Sequence, residues 1–234
     1  MLISGIQKCT TIDYPDHLSC IVFTPGCNMR CKFCHNPEFV LPEQIKKIKD
    51  TFIPQDAFFN FLQSRKGLLD GVVITGGEPT LMVDLISFIK KIKKMGFKVK
   101  LDSNGQRPEI LKQVIDQNLV DYIAMDVKAS LEQYNELTGK HVRTDKINES
   151  ITLLKKQEKI PYEFRTTMIK GIHTQKEMQN IGQMLTGANT LYLQSFRAGN
   201  TLDKSFSNKQ GFTQQELTAY IPMLKQTITS VIAR

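Results

Sequence analysis

The sequence has no apolar run that reaches the roughly 18 residues needed to span a membrane. It also has no internal repeat of fixed period and no low-complexity segment. Residues 1–6 lack the basic start of a secretory leader, so we expect a cytoplasmic protein in a reducing compartment. These features argue against a membrane partner and against the repeat and low-complexity classes of protein.

Charge and composition point to a single globular domain. The 234 residues are 41% hydrophobic and 23% charged, and a chain of this length can bury about 70–75% of its unfolded surface. The formal net charge is +8, but the lysines are spread along helix-like stretches such as residues 90–94. Such runs are typical of solvated helix faces, and the interleaved aromatic residues of a nucleic-acid surface are missing. We expect no nucleic-acid partner, although the positive field favours an acidic protein.

Only five cysteines are present, and three of them are clustered as Cys27, Cys31 and Cys34. Three thiolates at gaps of four and three fit one metal centre that keeps an open position for a substrate. A structural zinc site, by contrast, is closed by four protein ligands. Because thiolate-rich sites suit iron–sulfur clusters, the spacing favours a cluster with an open coordination position.

A zinc site is the alternative, since two of the clustered thiols could join Cys9 and Cys20, or His35. Cys20 lies in an apolar stretch that predicts a buried strand, where cysteine behaves as a small hydrophobe. His35 adjoins Cys34, so the two would need a tight turn to share one ion. The spacing therefore favours the cluster over zinc.

Short apolar segments alternate with helical periodicity along the chain. Strands are predicted at residues 18–24, 71–75, 97–101, 120–125, 162–169 and 190–194. Helices are predicted at residues 54–64, 81–95, 108–118, 131–137, 145–157, 175–185 and 213–228. In the last of these helices, Pro222 is expected to introduce a kink or to move the start.

This alternation predicts an α/β fold with parallel strands. An eight-unit barrel needs about 250 residues, so a partial (β/α)6 barrel, an incomplete TIM-like barrel, fits better. An open doubly wound sheet is the alternative. We assign residues 1–234 to one domain, with an N-terminal cover (1–17), a barrel core (18–195) and a C-terminal extension with a helix (196–234).

Polar motifs follow four predicted strands: the cysteine segment, then residues 76–79, 102–105 and 126–128. The carboxyl ends of parallel strands meet at one edge, where α/β folds place their chemistry. Asp126 and Lys128 flank one residue, so on an extended segment they point the same way. Three of these motifs also have a purely structural interpretation. Gly76 and Gly77 could form a simple turn, and residues 102–105 a turn that begins a helix. Asp126 and Lys128 could form a surface ion pair worth ~0–1 kcal/mol.

The cysteine spacing, with Phe33 before the last cysteine, resembles the signature of the radical S-adenosylmethionine (SAM) enzymes. That resemblance implies that Cys27, Cys31 and Cys34 hold three irons of a 4Fe-4S cluster, whose fourth iron is chelated by SAM. It also implies that residues 76–79, Gly-Gly-Glu-Pro, line the amino group of SAM.

A closer resemblance covers most of the chain, through residues 11–16, 23–37, 102–105 and 125–128. These segments resemble the glycyl-radical-enzyme activating enzymes. With residues 193–197, they look most like the anaerobic ribonucleoside-triphosphate reductase activating proteins. One departure is Ser103, where relatives often have threonine. A second cysteine cluster is also missing from the sequence, so the additional ferredoxin-like clusters of some relatives are not expected.

The resemblance implies an oxidoreductase that cleaves SAM and installs a glycyl radical on a partner enzyme, which is expected to be an anaerobic ribonucleotide reductase. A flavodoxin or ferredoxin would supply electrons, and no catalytic residue is expected beyond the cluster and SAM. The predicted SAM-binding residues are Phe33, Gly76, Gly77, Glu78, Asp102, Ser103, Asn104, Asp126, Lys128 and Arg165.

Two further expectations concern the surroundings of the site. Residues 11–16 are expected to border a lateral opening of the barrel, and His173 to cap the pocket. The alternative functions are a small-molecule enzyme of the 7-carboxy-7-deazaguanine synthase type and, from another class, a basic zinc-binding nucleic-acid module.

Overall fold

The computed structural model describes residues 1–139 and 141–234. Its strands are β1 (Gly5–Thr10), β2 (Ser19–Thr24), β3 (Gly71–Gly76), β4 (Lys98–Ser103), β5 (Tyr122–Asp126), β6 (Tyr162–Met168), β7 (Thr190–Ser195) and β8 (Ser230–Ala233). Its α-helices are α1 (Pro42–Ile48), α2 (Gln55–Gln63), α3 (Leu85–Lys94), α4 (Pro108–Asp116), α5 (Tyr134–Thr138), α6 (Thr144–Lys156), α7 (Gln175–Met184), α8 (Gln214–Ala219) and α9 (Ile221–Leu224). Within the part of the chain described here, no helix has the length and apolarity to cross a membrane.

The strands form one sheet whose spatial order follows the chain from β1 to β8. β1 is antiparallel to β2, and every later neighbour pairs in parallel. Because β1 and β8 are the two ends of this order, the sheet curves without closing. The six predicted strands are β2 to β7, and the predicted partial barrel is confirmed.

Helix α3 shows how the outer layer is held. Its buried residues Leu85, Phe88, Ile89 and Ile92 are spaced by three and four, so they lie on one helix face. Phe88 stacks on Phe58 of α2, with ring centroids 5.4 Å apart. Burial of each such side chain contributes about 1.5–3 kcal/mol to folding, which fixes the helices against the sheet.

The C-terminal region differs from the prediction of one long helix. It folds as α8 and α9, with Pro222 in the first turn of α9, and ends in β8. β8 pairs in parallel with β7, where Leu191 lies opposite Val231. β8 has only four residues, which are too few for a periodic pattern to be recognised in the sequence. Its strand conformation depends instead on pairing with the edge of β7.

The segment of residues 11–17 closes the amino end of the barrel. Tyr14 is only 2% exposed and packs against Ile21 and Val73 inside the barrel. Its ring also lies against Gly71, the first residue of β3, where an added Cβ would meet the ring at 2.9 Å. The segment, which was predicted to border a lateral opening of the barrel, lies at the amino end of the strands, the end opposite to the cysteines.

Candidate active site

The cysteine loop, residues 27–34, follows β2 and is anchored through its backbone on two sides. The amides of Arg30 and Lys32 donate to carbonyl oxygens at the end of α5, at 2.8 and 3.0 Å. On the other side, the amides of Leu202 and Asp203 donate to carbonyl oxygens of the loop, each at 3.0 Å. The loop is therefore positioned by the C-terminal segment as well as by the barrel.

All three clustered thiols line one cavity of about 240 Å³ at the carboxyl ends of the strands. Burial raises the pKa of Cys27 to about 11 and that of Cys31 to about 12, so the metal-free side chains are thiols. Burial also raises the pKa of Cys34. Binding of a metal must therefore displace these protons.

Of the further ligands considered for a zinc site, His35 lines the cavity of the three thiols, whereas Cys9 and Cys20 do not. The His35 ring stacks on Phe196, and its Nε2 atom lies 2.6 Å from the carbonyl oxygen of Arg197. Cys9 is exposed on β1, and Cys20 is buried in the core. Among residues 1–139 and 141–234, no three His, Cys, Asp or Glu side chains are placed to hold a single ion. A cubane cluster makes no such demand, because each thiolate binds a different iron.

Two glycines at the carboxyl end of β3 bring this strand end against the residues that precede the cysteine loop. The amide of Gly77 donates to the carbonyl oxygen of Thr24 at 2.7 Å, and the amide of Glu78 donates to that of Gly26 at 2.7 Å. A Cβ on Gly77 would lie 2.0 Å from the Gly26 oxygen, and Gly76 has a φ of 119°. Only glycine allows this approach, which explains the residue types of the motif.

Glu78 links the ends of β3 and β4. Its side chain is buried, and its Oε1 atom accepts from the Ser103 hydroxyl at 3.0 Å and from Thr80. Its Oε2 atom accepts from the Asn104 amide at 2.6 Å. Burial raises the pKa of Glu78, while these hydrogen bonds oppose that change. Both oxygens of the Glu78 carboxylate therefore accept hydrogen bonds from the protein itself. Glu78 positions the end of β4, a role that the sequence pattern did not indicate.

A row of alternating charges, hereafter the charge row, runs across β4, β5 and β6 inside the barrel. Its members are Lys100, Asp102, Arg165, Asp126 and Lys128. Successive nitrogen–oxygen distances along the row are 3.6, 3.0, 2.8 and 3.2 Å. Because alternate residues of each strand face the interior, parallel pairing brings these side chains into line. The row connects the middle of the barrel to the cavity.

Asp126 and Lys128 form the cavity end of the charge row. Burial alone would raise the pKa of Asp126, but the neighbouring Arg165 and Lys128 lower it well below its usual range. Burial opposes the charge on Lys128, yet Asp126 raises the pKa of Lys128 above its usual value. With side chains only 34% and 16% exposed, this is not the solvated surface pair of the alternative interpretation. The Lys128 Nζ atom also lies 5.7 Å from the ring centroid of Phe33.

Asp102 offers an oxygen to a ligand. Its Oδ2 atom accepts from Arg165 at 3.0 Å, whereas its buried Oδ1 atom accepts no hydrogen bond from the described residues and has the Lys100 ammonium 3.6 Å away. A buried acceptor of this kind is costly unless it is paired. Asp102 lines the same cavity as the thiols, so its Oδ1 atom can still accept a hydrogen bond from a hydroxyl or amino group of a bound cofactor.

Lys100, at the inner end of the charge row, is expected to be needed for stability. Its side chain is 1% exposed, and its Nζ atom lies 3.6 Å from Asp102 and 3.7 Å from Glu163. Lys100→Met would remove the cation that Asp102 and Glu163 share and leave each with one other cation, Arg165 or Arg234, so we expect the free energy of unfolding to fall by about 1–3 kcal/mol. Chemical denaturation measures the change. The exposed Lys90→Met is the control, and equal stability of the two variants would contradict this account.

The end of β5 is supported from below by α7 and the loop before it. The buried His173 accepts the Ile169 amide at Nδ1, at 3.0 Å, so its Nε2–H donates to the Lys128 carbonyl at 3.1 Å. Glu177 accepts from the amide and hydroxyl of Ser130, at 2.5 and 2.9 Å. The expectation that His173 caps the pocket is wrong, because this ring packs beneath the Lys128 backbone.

The cavity brings together all of the cysteines and cofactor-binding residues predicted from the sequence. The sequence analysis did not single out several further lining residues: Met29, Asn36, Val40, Thr75 and Thr167. Single apolar, hydroxyl or amide side chains of this kind are common in every protein and do not by themselves indicate a site. The arrangement combines three thiols, close-packed backbone and a row of charges at one strand edge.

Comparisons with known proteins agree with this arrangement. The family model of the Radical SAM superfamily matches residues 21–183. The chain is 32% identical over 240 residues to a protein of Methanocaldococcus jannaschii that carries the name "Putative glycyl-radical enzyme activating enzyme MJ1227". That match covers 100% of this chain and 95% of the relative.

Two further comparisons cover less of the sequence or rest on structure alone. The pyruvate formate-lyase-activating enzyme of Listeria monocytogenes is 32% identical over 148 residues, which are 59% of this chain and 58% of that enzyme. The structure of TYW1 with a lysine-pyruvate adduct bound superposes with a TM-score of 0.62 at 18% identity. It covers 90% of this chain and 74% of that chain, and at this identity it supports the fold alone.

Proposed function

The chain belongs to the radical SAM superfamily, and from this premise we propose that it installs a glycyl radical on a partner enzyme. A radical SAM enzyme uses a 4Fe-4S cluster and SAM as its cofactors. The observation that carries the proposal is the meeting of three thiols, the glycine pair and the charge row around one cavity. The similarity to glycyl-radical enzyme activating enzymes over the whole chain supports this choice within the superfamily.

Cys27, Cys31 and Cys34 are the residues that would hold the cluster. When bound, the reduced cluster and SAM supply a 5′-deoxyadenosyl radical, which removes a hydrogen atom from the substrate. The donor set fits, because the thiols line the cavity and thiolates are the usual ligands of such clusters. The anchored backbone of the cysteine loop fixes where the cluster would lie.

The charge row and the glycine pair would hold and orient SAM. Lys128 would bind its carboxylate, and Asp126 its ribose hydroxyls, while the Oδ1 atom of Asp102, which accepts no hydrogen bond from the described residues, offers another acceptor. The backbone at Gly76 and Gly77 approaches closely enough to line the amino group. The work of these residues is to bind and orient the cofactor, because reaction needs the reacting atoms within about 3–3.5 Å.

The partner we propose is an anaerobic ribonucleoside-triphosphate reductase. Residues 11–16 and 193–197 support it through their resemblance to the activating proteins of that enzyme. A second cavity of about 300 Å³ lies at the carboxyl ends of β6 and β7 and shares His35 and Thr167 with the first. A glycine-containing loop of the partner could enter here, past the exposed Arg197.

Anaerobic reconstitution tests the first half of this proposal. Protein treated with iron and sulfide is expected to bind about four irons per chain and, once reduced, to cleave SAM. Chromatography should then detect 5′-deoxyadenosine and methionine in equal amounts. Stoichiometric zinc without iron uptake, or iron uptake without any cleavage, would contradict it.

A further inference from the structure

A second concave surface lies on the outer side of the cysteine loop. This surface, the outer groove, has a volume of about 770 Å³ and exposes mostly apolar area. Its apolar lining residues include Leu2, Val40, Pro42, Ile45, Phe52 and Leu81. Cys27 and Val40 line both the outer groove and the cavity of the active site, so one cluster ligand separates the two.

The outer groove has an apolar floor and a basic rim. Leu2 lines the groove and is 57% exposed. Exposed apolar surface of this kind is typical of a site that binds another molecule when it is part of a larger apolar patch. The exposed cations Arg30, Lys46 and Lys49 face a single lining carboxylate, Asp50, so the rim has a net positive charge. An apolar centre with a charged rim is the usual composition of a protein-binding surface.

Arg30 connects this rim to the cluster ligand. Its Nη1 atom donates to the carbonyl oxygens of Cys27 and Met29, at 2.6 and 2.8 Å. The guanidinium therefore lies directly on the backbone of the cysteine that separates the groove from the cavity. A partner seated on the rim would be held beside Cys27 without entering the space reserved for SAM.

We infer that the outer groove docks an acidic one-electron donor protein of the flavodoxin or ferredoxin class. This inference rests on the proposed function, which requires an electron at the cluster. The donor is oxidised by one electron and the cluster is reduced by one, with no bond made or broken and no proton transferred. A net positive rim attracts an acidic donor and speeds its encounter, and a small interface suits a transient redox partner.

The groove and the proposed entrance for the glycine loop are different surfaces. The entrance at the ends of β6 and β7 has no lining residue in common with the outer groove. Both surfaces could therefore be used at once, with the donor on the cysteine-loop side and the substrate enzyme on the β7 side. This separation makes the two partners distinguishable by experiment.

The test compares a protein donor with a small chemical reductant. Lys46→Glu/Lys49→Glu reverses two rim charges without touching the cavity. With reduced flavodoxin, SAM cleavage by the variant is expected to be at least about tenfold slower than wild type at low salt, and the difference should shrink as salt rises. With dithionite, the two rates should be equal. Lys90→Glu/Lys94→Glu, on the exposed surface of α3, makes the same change in charge and should behave as wild type with both reductants.

The possible outcomes separate the docking surface from the proposed function. Absence of cleavage by wild type with dithionite would contradict the function itself. An unchanged rate with flavodoxin, an equal loss with both reductants, or an equal loss in the α3 variant would overturn the docking surface. So would a variant that accepts electrons normally but fails to activate a glycyl-radical enzyme, because the groove would then bind the substrate enzyme.

Discussion

Replacement of any one of Cys27, Cys31 or Cys34 by alanine is expected to abolish SAM cleavage and to prevent assembly of an intact cluster. Each thiol lines the same cavity, and each would hold a different iron, so no neighbouring side chain can substitute. Iron and sulfide content after anaerobic reconstitution measures cluster assembly. The ultraviolet–visible absorption of the cluster gives an independent readout.

The remaining cysteines provide matched controls for this experiment. Cys9 is exposed on β1 and Cys20 is buried in the core, and neither lines the cavity. Cys9→Ala and Cys20→Ala are therefore expected to keep about four irons per chain and to cleave SAM. A cluster lost with Cys9→Ala, or kept in full with Cys31→Ala, would show that the ligand assignment is wrong.

Lys128→Met is expected to weaken SAM binding about tenfold or more and to leave the iron content unchanged. Loss of a hydrogen bond to a charged group costs about 1.5–3 kcal/mol, and each 1.4 kcal/mol is a factor of ten in affinity. Equilibrium binding of SAM to the reconstituted protein measures the effect. Lys94→Met, on the exposed side of α3, is the control and should bind SAM as wild type does.

The loss of affinity in Lys128→Met should be the same at pH 6 and at pH 9. Burial opposes the charge on Lys128, but Asp126 raises its pKa, so its contribution is lost only above the usual lysine range. Burial likewise opposes ionisation of Asp126, but Arg165 and Lys128 lower its pKa, so its contribution is lost only as the pH falls below the usual aspartate range. Both groups are thus charged at neutral pH. Unchanged affinity in Lys128→Met would show that the Lys128 ammonium does not bind SAM.

The sequence predicted the strand ends well because their residue types have few alternative uses. Three closely spaced cysteines and the sequence Gly-Gly-Glu-Pro combine rare side chains with a backbone that only glycine permits. The apolar runs of β2 and β3 are bounded by turns, so those strands were recognised with their order along the chain. Once parallel pairing is assumed, these motifs must meet at one edge.

Long-range pairing decided the features that the sequence did not reveal. Nothing in the sequence indicates that Lys100 and Glu163 are buried, and only the registers of β4, β5 and β6 show that they face one another inside the barrel. Tyr14 likewise belongs to a turn-rich segment, and its burial depends on space at the amino end of β3. Local periodicity in the sequence contains no information about which distant residues Lys100 and Tyr14 contact.

The central claim is transfer of a radical to a glycine of another protein, and electron paramagnetic resonance tests it most directly. The reconstituted enzyme would be mixed under anaerobic conditions with SAM, a reductant and an anaerobic ribonucleotide reductase from the same cell. We predict the doublet of a glycyl radical on the reductase, which should disappear when the target glycine is replaced by alanine. Turnover of a free small molecule, with no protein-borne radical on any glycyl-radical enzyme, would contradict the claim.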